Sequence, residues 1–399
     1  MLDMAVSLAD IRAARERIRP YIRETDIVTL TLPGGGEALV KCENLQATGA
    51  FKVRGAANCI LMLTEAQQRA GVLAASAGNH AQGVARTAQK LAIACTIVMP
   101  LHAPLSKIAA TESYGAKVVL YGETYDDACA YALRLAEETG MTFVHPFDDE
   151  RVIAGQGTIA LEILDEVHPG QVIVPVGGGG LIAGVAAAIK QTDPAIRVIG
   201  VEPASAASMR ASIQAGRVVT LASAATLADG IAVKTPGELT YRMCREYVDE
   251  IVTVDDDDIA KAILYLIERS KIVSEGAGAA PIAALLAGKI GRVDGGTLAV
   301  LSGGNIDVTM VSRIIDKGLI RAGRKFVLRT ELADTPGQLA RLLELVSGTG
   351  ANIVSVSHDR NLPELPINAS LVSVEMETRD RQHVFAIRAE LADRGYRLL

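Results

Sequence analysis

Along the chain, short apolar runs alternate with longer stretches in which apolar residues recur every three or four positions, the pattern of strands followed by helices. Ala38–Lys41 reads as a short strand, and Val72–Ala75 as another, followed by a Gly-containing turn and a helix from His80 to Leu91. Ala94–Met99 ends at Pro100, Lys117–Tyr121 precedes a helix over Thr124–Thr139, and Gln171–Val176 runs into four glycines and a helix over Leu181–Lys190. Arg197–Glu202 and Leu298–Leu301 are further strands, the last leading into Ser302-Gly303-Gly304-Asn305. Such alternation predicts an α/β fold with largely parallel sheets. The strand-then-glycine junctions near Ala75 and Val176 lie far apart, and each is where a parallel strand ends at a ligand crevice. Two α/β lobes facing one cleft are expected. Ahead of them, Leu8, Ile11 and Ile18 follow Ser7 at near-helical spacing, which predicts an amphipathic helix with Ser7 as its cap.

After a break at Lys317–Arg324 the rhythm changes. Lys325–Thr330 reads as a strand, Asp334-Thr335-Pro336-Gly337 as a turn, and Gln338–Ser347 as a helix with Leu339, Leu342, Leu343 and Val346 on one side. Ile353–Val356 and Ala369–Met376 read as strands and Arg379–Arg394 as a helix. A βαββαβ order in about 75 residues is the ferredoxin-like pattern.

The length of 399 residues suggests two or three domains. Forty basic against 46 acidic residues leave a net charge of −6, with the basic ones scattered. Aromatics are sparse and Trp is absent, so neither a phosphate-binding stripe nor a stacking platform for nucleic acid is expected. Five cysteines, an odd number with no CxxC, argue against a disulfide framework or a zinc site and for thiols in a reducing cytosol. The N-terminal apolar run is too short for a signal peptide. No stretch of about 18 apolar residues is present to span a membrane. The expected location is cytoplasmic.

Four segments carry candidate chemistry. In Thr48-Gly49-Ala50-Phe51-Lys52-Val53-Arg54-Gly55-Ala56, a lysine sits between apolar neighbours after a Gly turn. Desolvation would free its amine as a nucleophile for a carbonyl, although alone the pattern fits a solvated surface lysine better. Ser76-Ala77-Gly78-Asn79-His80 follows a strand and opens a helix, where backbone amides hold anions; a capped turn is the simpler reading. Gly177-Gly178-Gly179-Gly180-Leu181 leaves amides unobstructed by side chains and suits a phosphate. It lacks both the Walker ending and GxGxxG spacing, so a monophosphate fits better than a nucleotide. Ser302, at a strand end, could face a heterocyclic nitrogen or simply belong to a Gly turn.

Together these segments resemble the fold-type II pyridoxal-phosphate enzymes, and more narrowly the threonine/serine dehydratases (threonine ammonia-lyases). TGAFKVRGA, SAGNHAQG, PVGGGGLIAG, TLADGIAV, SEGAGAA and SGGN occur in the family's order, and the resemblance extends from the N-terminal helix to about Gly318. The resemblance implies a two-lobed, tryptophan synthase β-like architecture, with residues 1–47 and 151–320 as the large cofactor lobe and 48–150 as the small lobe. It implies pyridoxal 5′-phosphate on Lys52, which would also remove the substrate's α-proton. Phe51 would pack beside the ring, and Asn79 would bond the ring hydroxyl. Gly177, Gly178, Gly179, Gly180 and the Leu181 amide would hold the phosphate, and Ser302 would meet the pyridine nitrogen. Ser76, Ala77, Gly78, Asn79 and His80 would take the substrate carboxylate through their amides and side chains. The implied reaction converts L-threonine to 2-oxobutanoate and ammonia, and L-serine to pyruvate. A neutral hydroxyl at Ser302 makes the ring a weaker electron sink than an acid would, which suits rapid β-elimination.

Several positions depart from relatives. Ala50 replaces a common Ser, and Ala77 stands where racemases of the family have a Ser that works on the opposite ring face. An alanine exchanges no proton, so serine racemisation ranks below dehydration. Dehydration of 3-hydroxyaspartate and a non-catalytic amino-acid sensor also compete with threonine dehydration; intact Lys52, Asn79, glycines and Ser302 speak against the sensor. Glu202 lacks the second acid of cation-dependent relatives, Ser208 standing in its place. No divalent metal site is expected there, and a monovalent cation or none is. Asp255–Asp258 reads as capping and dipole stabilisation of a helix. Glu275 reads either as tuning the cofactor or as bonding backbone. Residues 325–399 resemble an ACT domain, which implies pairing across a subunit interface in a dimer or tetramer. An amino-acid effector would then lie near the Gly337 loop and Asn352, with isoleucine or valine as feedback ligands in isoleucine biosynthesis; a purely structural dimerisation domain would lack that effector.

Overall fold

A computed structural model of the protein describes residues 5–399; the reading of the N-terminus as lacking a signal peptide falls partly on residues 1–4, outside the described residues. The strands of the first unit, which ends at Ile306, are β1 (Ile27–Thr31), β2 (Glu37–Cys42), β3 (Val72–Ala75), β4 (Cys95–Met99), β5 (Lys117–Leu120), β6 (Thr142–Phe143), β7 (Gln171–Pro175), β8 (Arg197–Pro203), β9 (Glu250–Val254) and β10 (Thr297–Leu301). They form two sheets. One has the order β1-β2-β10-β7-β8-β9, parallel except for the β1–β2 pair; the other, β5-β4-β3-β6, is parallel throughout. Every residue of β3, β4 and β7 is buried. Strands covered on both faces read as continuous apolar runs rather than alternating ones, which is why they stand out in the sequence.

The helix Glu150–Glu166 was not anticipated. It is buried nearly all round, from Val152 to Leu164, so it has no amphipathic stripe, and Gly155 and Gly157 look like breakers. Those glycines are contact points instead. A Cβ on Gly155 would lie 2.6 Å from the Arg54 carbonyl oxygen, and one on Gly157 would lie 2.8 Å from the Gly184 carbonyl oxygen on the helix Gly180–Thr192. Beside this crossing lies a fully buried ion cluster. Arg54 holds Glu43 and Glu162, and Lys41 holds Glu162 at 2.7 Å.

Ser7 caps the helix Leu8–Ile18 in a reciprocal capping box with Asp10. Asp255 is the N-cap of Asp256–Tyr265, but its side chain makes no cap hydrogen bond. Asp256 instead binds the Thr226 hydroxyl and the Leu227 amide, fastening the loop ahead of Asp229–Ile231. All five cysteines are free thiols.

The second unit, Asp307–Leu399, begins with the helix Val308–Arg321, so the break expected at Lys317–Arg324 is that helix's C-terminal end and the turn after it. The boundary expected near residue 320 falls inside this unit. Its strands are β11 (Lys325–Ala333), β12 (Asn352–Asp359) and β13 (Ala369–Glu377), antiparallel in the order β11-β13-β12. Alternate residues of β11 and β13 are buried against Leu342, Val346, Ile387 and Leu391 of the helices Gln338–Gly348 and Arg381–Asp393. The fourth strand of the expected βαββαβ is reduced to one bridge, Thr330 with Leu398. That bridge still puts the chain end beside β11, the fourth-first-third-second order of a ferredoxin-like sheet.

Candidate active site

Four segments converge beyond the carboxyl ends of β3, β7 and β10, the place where parallel strands direct their ligands. The first is tied to the end of β10: Ala50 bridges Gly303, and the Phe51 amide donates to the Ser302 carbonyl at 3.0 Å. Gly49 has φ +73°, and the Asn305 side chain occupies the space a Cβ would need, so only glycine fits. Lys52 opens the helix Lys52–Leu61, and its Nζ donates to the Pro146 carbonyl at 2.7 Å and lies 5.3 Å from the Phe51 ring centroid. It is not a solvated surface lysine. Burial lowers its pKa to about 8, with Glu275 opposing. At pH 7.5 such an amine is about a quarter unprotonated, against roughly a thousandth for an ordinary lysine.

At the end of β3, Ser76 Oγ accepts from the Gly78 amide at 3.2 Å, and the helix Asn79–Leu91 begins. The amides of Asn79, His80 and Ala81 donate to no group of the described chain. Unpartnered amides at a helix start are the groups that can take an anion. The His80 side chain is not one of those groups. Its Nε2 meets the Val144 carbonyl at 2.8 Å, and burial, with Lys52 nearby, lowers its pKa to about 3. A neutral ring with a bare Nδ1 lone pair repels a carboxylate, so His80 can offer only its amide. Asn79 is fixed at both ends: Nδ2 donates to Glu275 at 2.7 Å, and Oδ1 accepts from Asn305 at 2.8 Å. One amide hydrogen remains free.

At the end of β7, Gly177 to Leu181 are all buried, and none of their five amides donates within the described chain. The glycines are explained by what lies behind them as well. A Cβ on Gly177 would meet Ile231 at 2.9 Å, one on Gly178 would overlap the Phe147 ring, and one on Gly180 would meet the Phe147 backbone at 2.9 Å. Gly179, at φ +94°, faces Met209 and Thr240. Ser302, 2% exposed, makes no side-chain hydrogen bond in the described chain. Glu275 bonds the Asn79 side chain, not backbone, through its carboxylate; burial, and then Asp229, raise its pKa to about 7.

Glu202 is occupied differently from what a cation site needs. Its two oxygens accept the amides of Met209 and Arg210 at 2.8 and 2.9 Å, in the first turn of the helix Ser208–Ala215. Sequence reasoning missed Asn305, which joins Asn79 to the Thr48 carbonyl, and the whole segment His145-Pro146-Phe147-Asp148. The available signal was Asp149, which caps the helix Glu150–Glu166.

The sequence profile of the family described as "Pyridoxal-phosphate dependent enzyme" matches residues 18–303. The chain belongs to the pyridoxal-phosphate-dependent enzyme family. It is 49% identical over 395 residues to the L-threonine ammonia-lyase of Thermotoga maritima, covering 98% of each chain. Among solved structures it resembles the processed form of threonine deaminase isoform 2 from Solanum lycopersicum, with TM-score 0.73, 39% identity, and coverage of 77% of this chain and 91% of that one. Maize serine racemase is similar at TM-score 0.74 and 36% identity, over 79% of this chain and 99% of that one. The cofactor of this pyridoxal-phosphate family member is pyridoxal phosphate, and its two sheets are those of the fold-type II architecture. No helix of the described residues is long and apolar enough to cross a membrane.

Proposed function

We propose that the chain is an L-threonine ammonia-lyase that converts L-threonine to 2-oxobutanoate and ammonia, and L-serine to pyruvate, with Lys52 at the reacting centre. The observation that carries this reading is a half-buried lysine of lowered pKa beside two sets of unpartnered amides. The residues fit the cofactor on their own chemistry. A partly deprotonated amine suits an aldehyde, and five buried amides without acceptors suit a phosphate ester; a hydroxyl with no partner at Ser302 suits a ring nitrogen. Phe51 would pack beside the ring, and the free amide hydrogen of Asn79 would be available to its hydroxyl. When bound, pyridoxal phosphate supplies the aldehyde that links to amines and the ring that draws electrons away from the substrate's α-carbon.

The chain's own residues do the rest. The amides of Asn79, His80 and Ala81 orient the substrate by its carboxylate. Lys52 Nζ takes the α-proton, and the substrate's β-hydroxyl then leaves. The released enamine tautomerises and hydrolyses to the 2-oxo acid and ammonia. Ala77 supplies no proton on a second face, so the product is the oxo acid and not the D-amino acid. A coupled 2-oxo-acid assay over threonine, serine and 3-hydroxyaspartate, with chiral analysis for D-serine, tests this. Threonine should give the highest kcat/KM, and reductive trapping should place the cofactor adduct on Lys52. An adduct elsewhere, or a colourless protein that cannot be reconstituted, would refute the reading and favour a sensor.

We further infer that residues 325–399 are an ACT-type regulatory domain in a cytoplasmic homo-oligomer. The four-one-three-two strand order supports this, as do Gly337 at φ +91° ahead of the helix Gln338–Gly348 and Asn352 exposed at the head of β12. Deletion after Arg324 should change oligomeric state or the response to branched-chain amino acids. If neither changes, the regulatory reading fails.

A further inference from the structure

One segment touches three parts of the site. Val144 to Asp149 connects β6 to the helix Glu150–Glu166. Its Val144 carbonyl receives His80 Nε2 at 2.8 Å, and its Pro146 carbonyl receives Lys52 Nζ at 2.7 Å. The ring and backbone of Phe147 fill the space behind Gly178 and Gly180. Asp148 Oδ1 accepts the Thr240 amide at 3.0 Å, and Thr240 Oγ1 donates to the Gly178 carbonyl at 2.6 Å. The lysine and the glycine cup are therefore held in register by one short stretch of backbone.

That stretch is folded by a side chain of its own. His145 Nδ1 accepts the Asp148 amide at 2.8 Å and the Phe147 amide at 3.3 Å, closing a tight turn around Pro146. The imidazole is gripped edge-on between Phe143 and Phe147, with centroids 6.1 and 4.8 Å away. Two amides pointing at one ring nitrogen require that nitrogen to be an unprotonated acceptor.

We propose that His145 is a positioning residue of the reaction: by collecting the Phe147 and Asp148 amides it sets the Pro146 carbonyl on Lys52 and presses Phe147 against the phosphate-cup glycines. The proposal rests on Lys52 and Gly177–Leu181 being the cofactor site. Protonation of His145 would exchange the acceptor for a donor facing two donors, and the turn would open. The charged and titratable groups around it are Asp148, Asp149, Lys52 and His80. Burial is the largest influence on it and, with Lys52, favours the neutral ring; the two aspartates oppose. The turn is thus intact at neutral pH and lost as pH falls below the ordinary histidine range.

Two substitutions separate acceptor from shape. His145→Asn keeps an acceptor oxygen the same number of bonds from the backbone as Nδ1 but cannot be protonated. His145→Leu keeps the bulk and removes the acceptor. The first readout needs no turnover: the pH dependence of reductive methylation at Lys52 in protein stripped of cofactor, read by mass spectrometry. In His145→Leu the opened turn should let water reach Lys52. Relief of the desolvation that depresses it should outweigh loss of the Pro146 acceptor, so its titration should move up towards that of an ordinary lysine and pyridoxal phosphate should bind more weakly. Its kcat should fall roughly 10- to 100-fold, as displacements of about an ångström do, while KM for threonine changes by less than about 3-fold. His145→Asn should match the wild type in all three measurements at neutral pH and hold its cofactor to lower pH than the wild type does. A Leu variant with unchanged Lys52 titration and cofactor affinity would overturn the proposal, as would equal impairment of both variants. If the Leu variant does not fold, the acid limb of cofactor binding in the Asn variant decides, and a limb identical to the wild type's overturns it. Failure of the wild-type chain to carry its adduct on Lys52 would refute the ammonia-lyase reading instead, and the Lys52 titration would still report on His145.

Discussion

Replacing Arg54 by Met should unbalance the buried ion cluster without opening a large cavity. The guanidinium donates to Glu43 at 2.7 and 2.8 Å, to both oxygens of Glu162 and to Thr158 Oγ1 at 3.2 Å, and it is 0% exposed. With it gone, Glu162 keeps Lys41 as its cation, while Glu43 keeps only neutral donors, the Thr25 hydroxyl and the Gln46 amide. Removing one partner from such a set costs roughly 3–5 kcal/mol, because the charges left behind lack compensation. For a unit of about 300 residues, an unfolding entropy of about 2.1 cal/mol/K per residue converts that into a melting shift of about 5–8 °C. The loss should depend on pH. Burial alone would raise the Glu162 pKa, but Arg54 and then Lys41 outweigh it and hold it below the usual carboxylate value. In the wild type that contribution is present above the unfolded pKa and is lost as pH falls through the folded one. The variant lacks most of it, so the gap between the two proteins should be full at pH 7 and narrower at about pH 3, below the unfolded carboxylate value. Adding Glu43→Gln should recover part of the loss at pH 7 by removing one uncompensated charge. Calorimetric or dichroism melts of the three proteins at both pH values provide the check. A single variant within about 1 kcal/mol of wild type, or a gap that does not change with pH, would refute the electrostatic assignment.

Glu275→Gln keeps an acceptor for Asn79 but cannot ionise. Because the folded pKa of Glu275 is raised to about 7, the wild type loses stability as pH rises from the unfolded value through 7. The variant should match it at pH 4 and exceed it at pH 8 by as much as about 3 kcal/mol, and equal stability at both pH values in a denaturant titration would contradict this. Ala92 ends the helix Asn79–Leu91 at φ 55°, a left-handed conformation that L-residues resist. Ala92→Gly should stabilise the chain by about 1 kcal/mol, read as a higher denaturant midpoint at unchanged slope; a lower midpoint would refute it.

The strands were legible because burial on both faces writes them as unbroken apolar runs, as in β3 and β7. The glycine run after β7 and the Ser76–His80 helix start were legible because strand-end turns with free amides have a composition of their own. The helix Glu150–Glu166 was not, since complete burial erases the stripe that periodicity detects. His145, Pro146 and Asn305 were hidden for a different reason. Pro146 acts through a carbonyl oxygen that any residue would supply, and His145 and Asn305 act by bonding to parts of the chain that only the fold brings near. The His80 side chain marks the opposite case: a residue inside a recognisable motif whose ring turns away to Val144.

The glycines of the cup have neighbours at their backs contributed by distant stretches of chain: Ile231, Phe147, Met209 and Thr240. Evolutionary drift there cannot proceed one position at a time. A diverged homologue bearing alanine in place of Gly178 should have traded Phe147 for something slimmer, and the two changes should be inherited together, so that paired sequence variation would record a spatial constraint that neither site reveals alone.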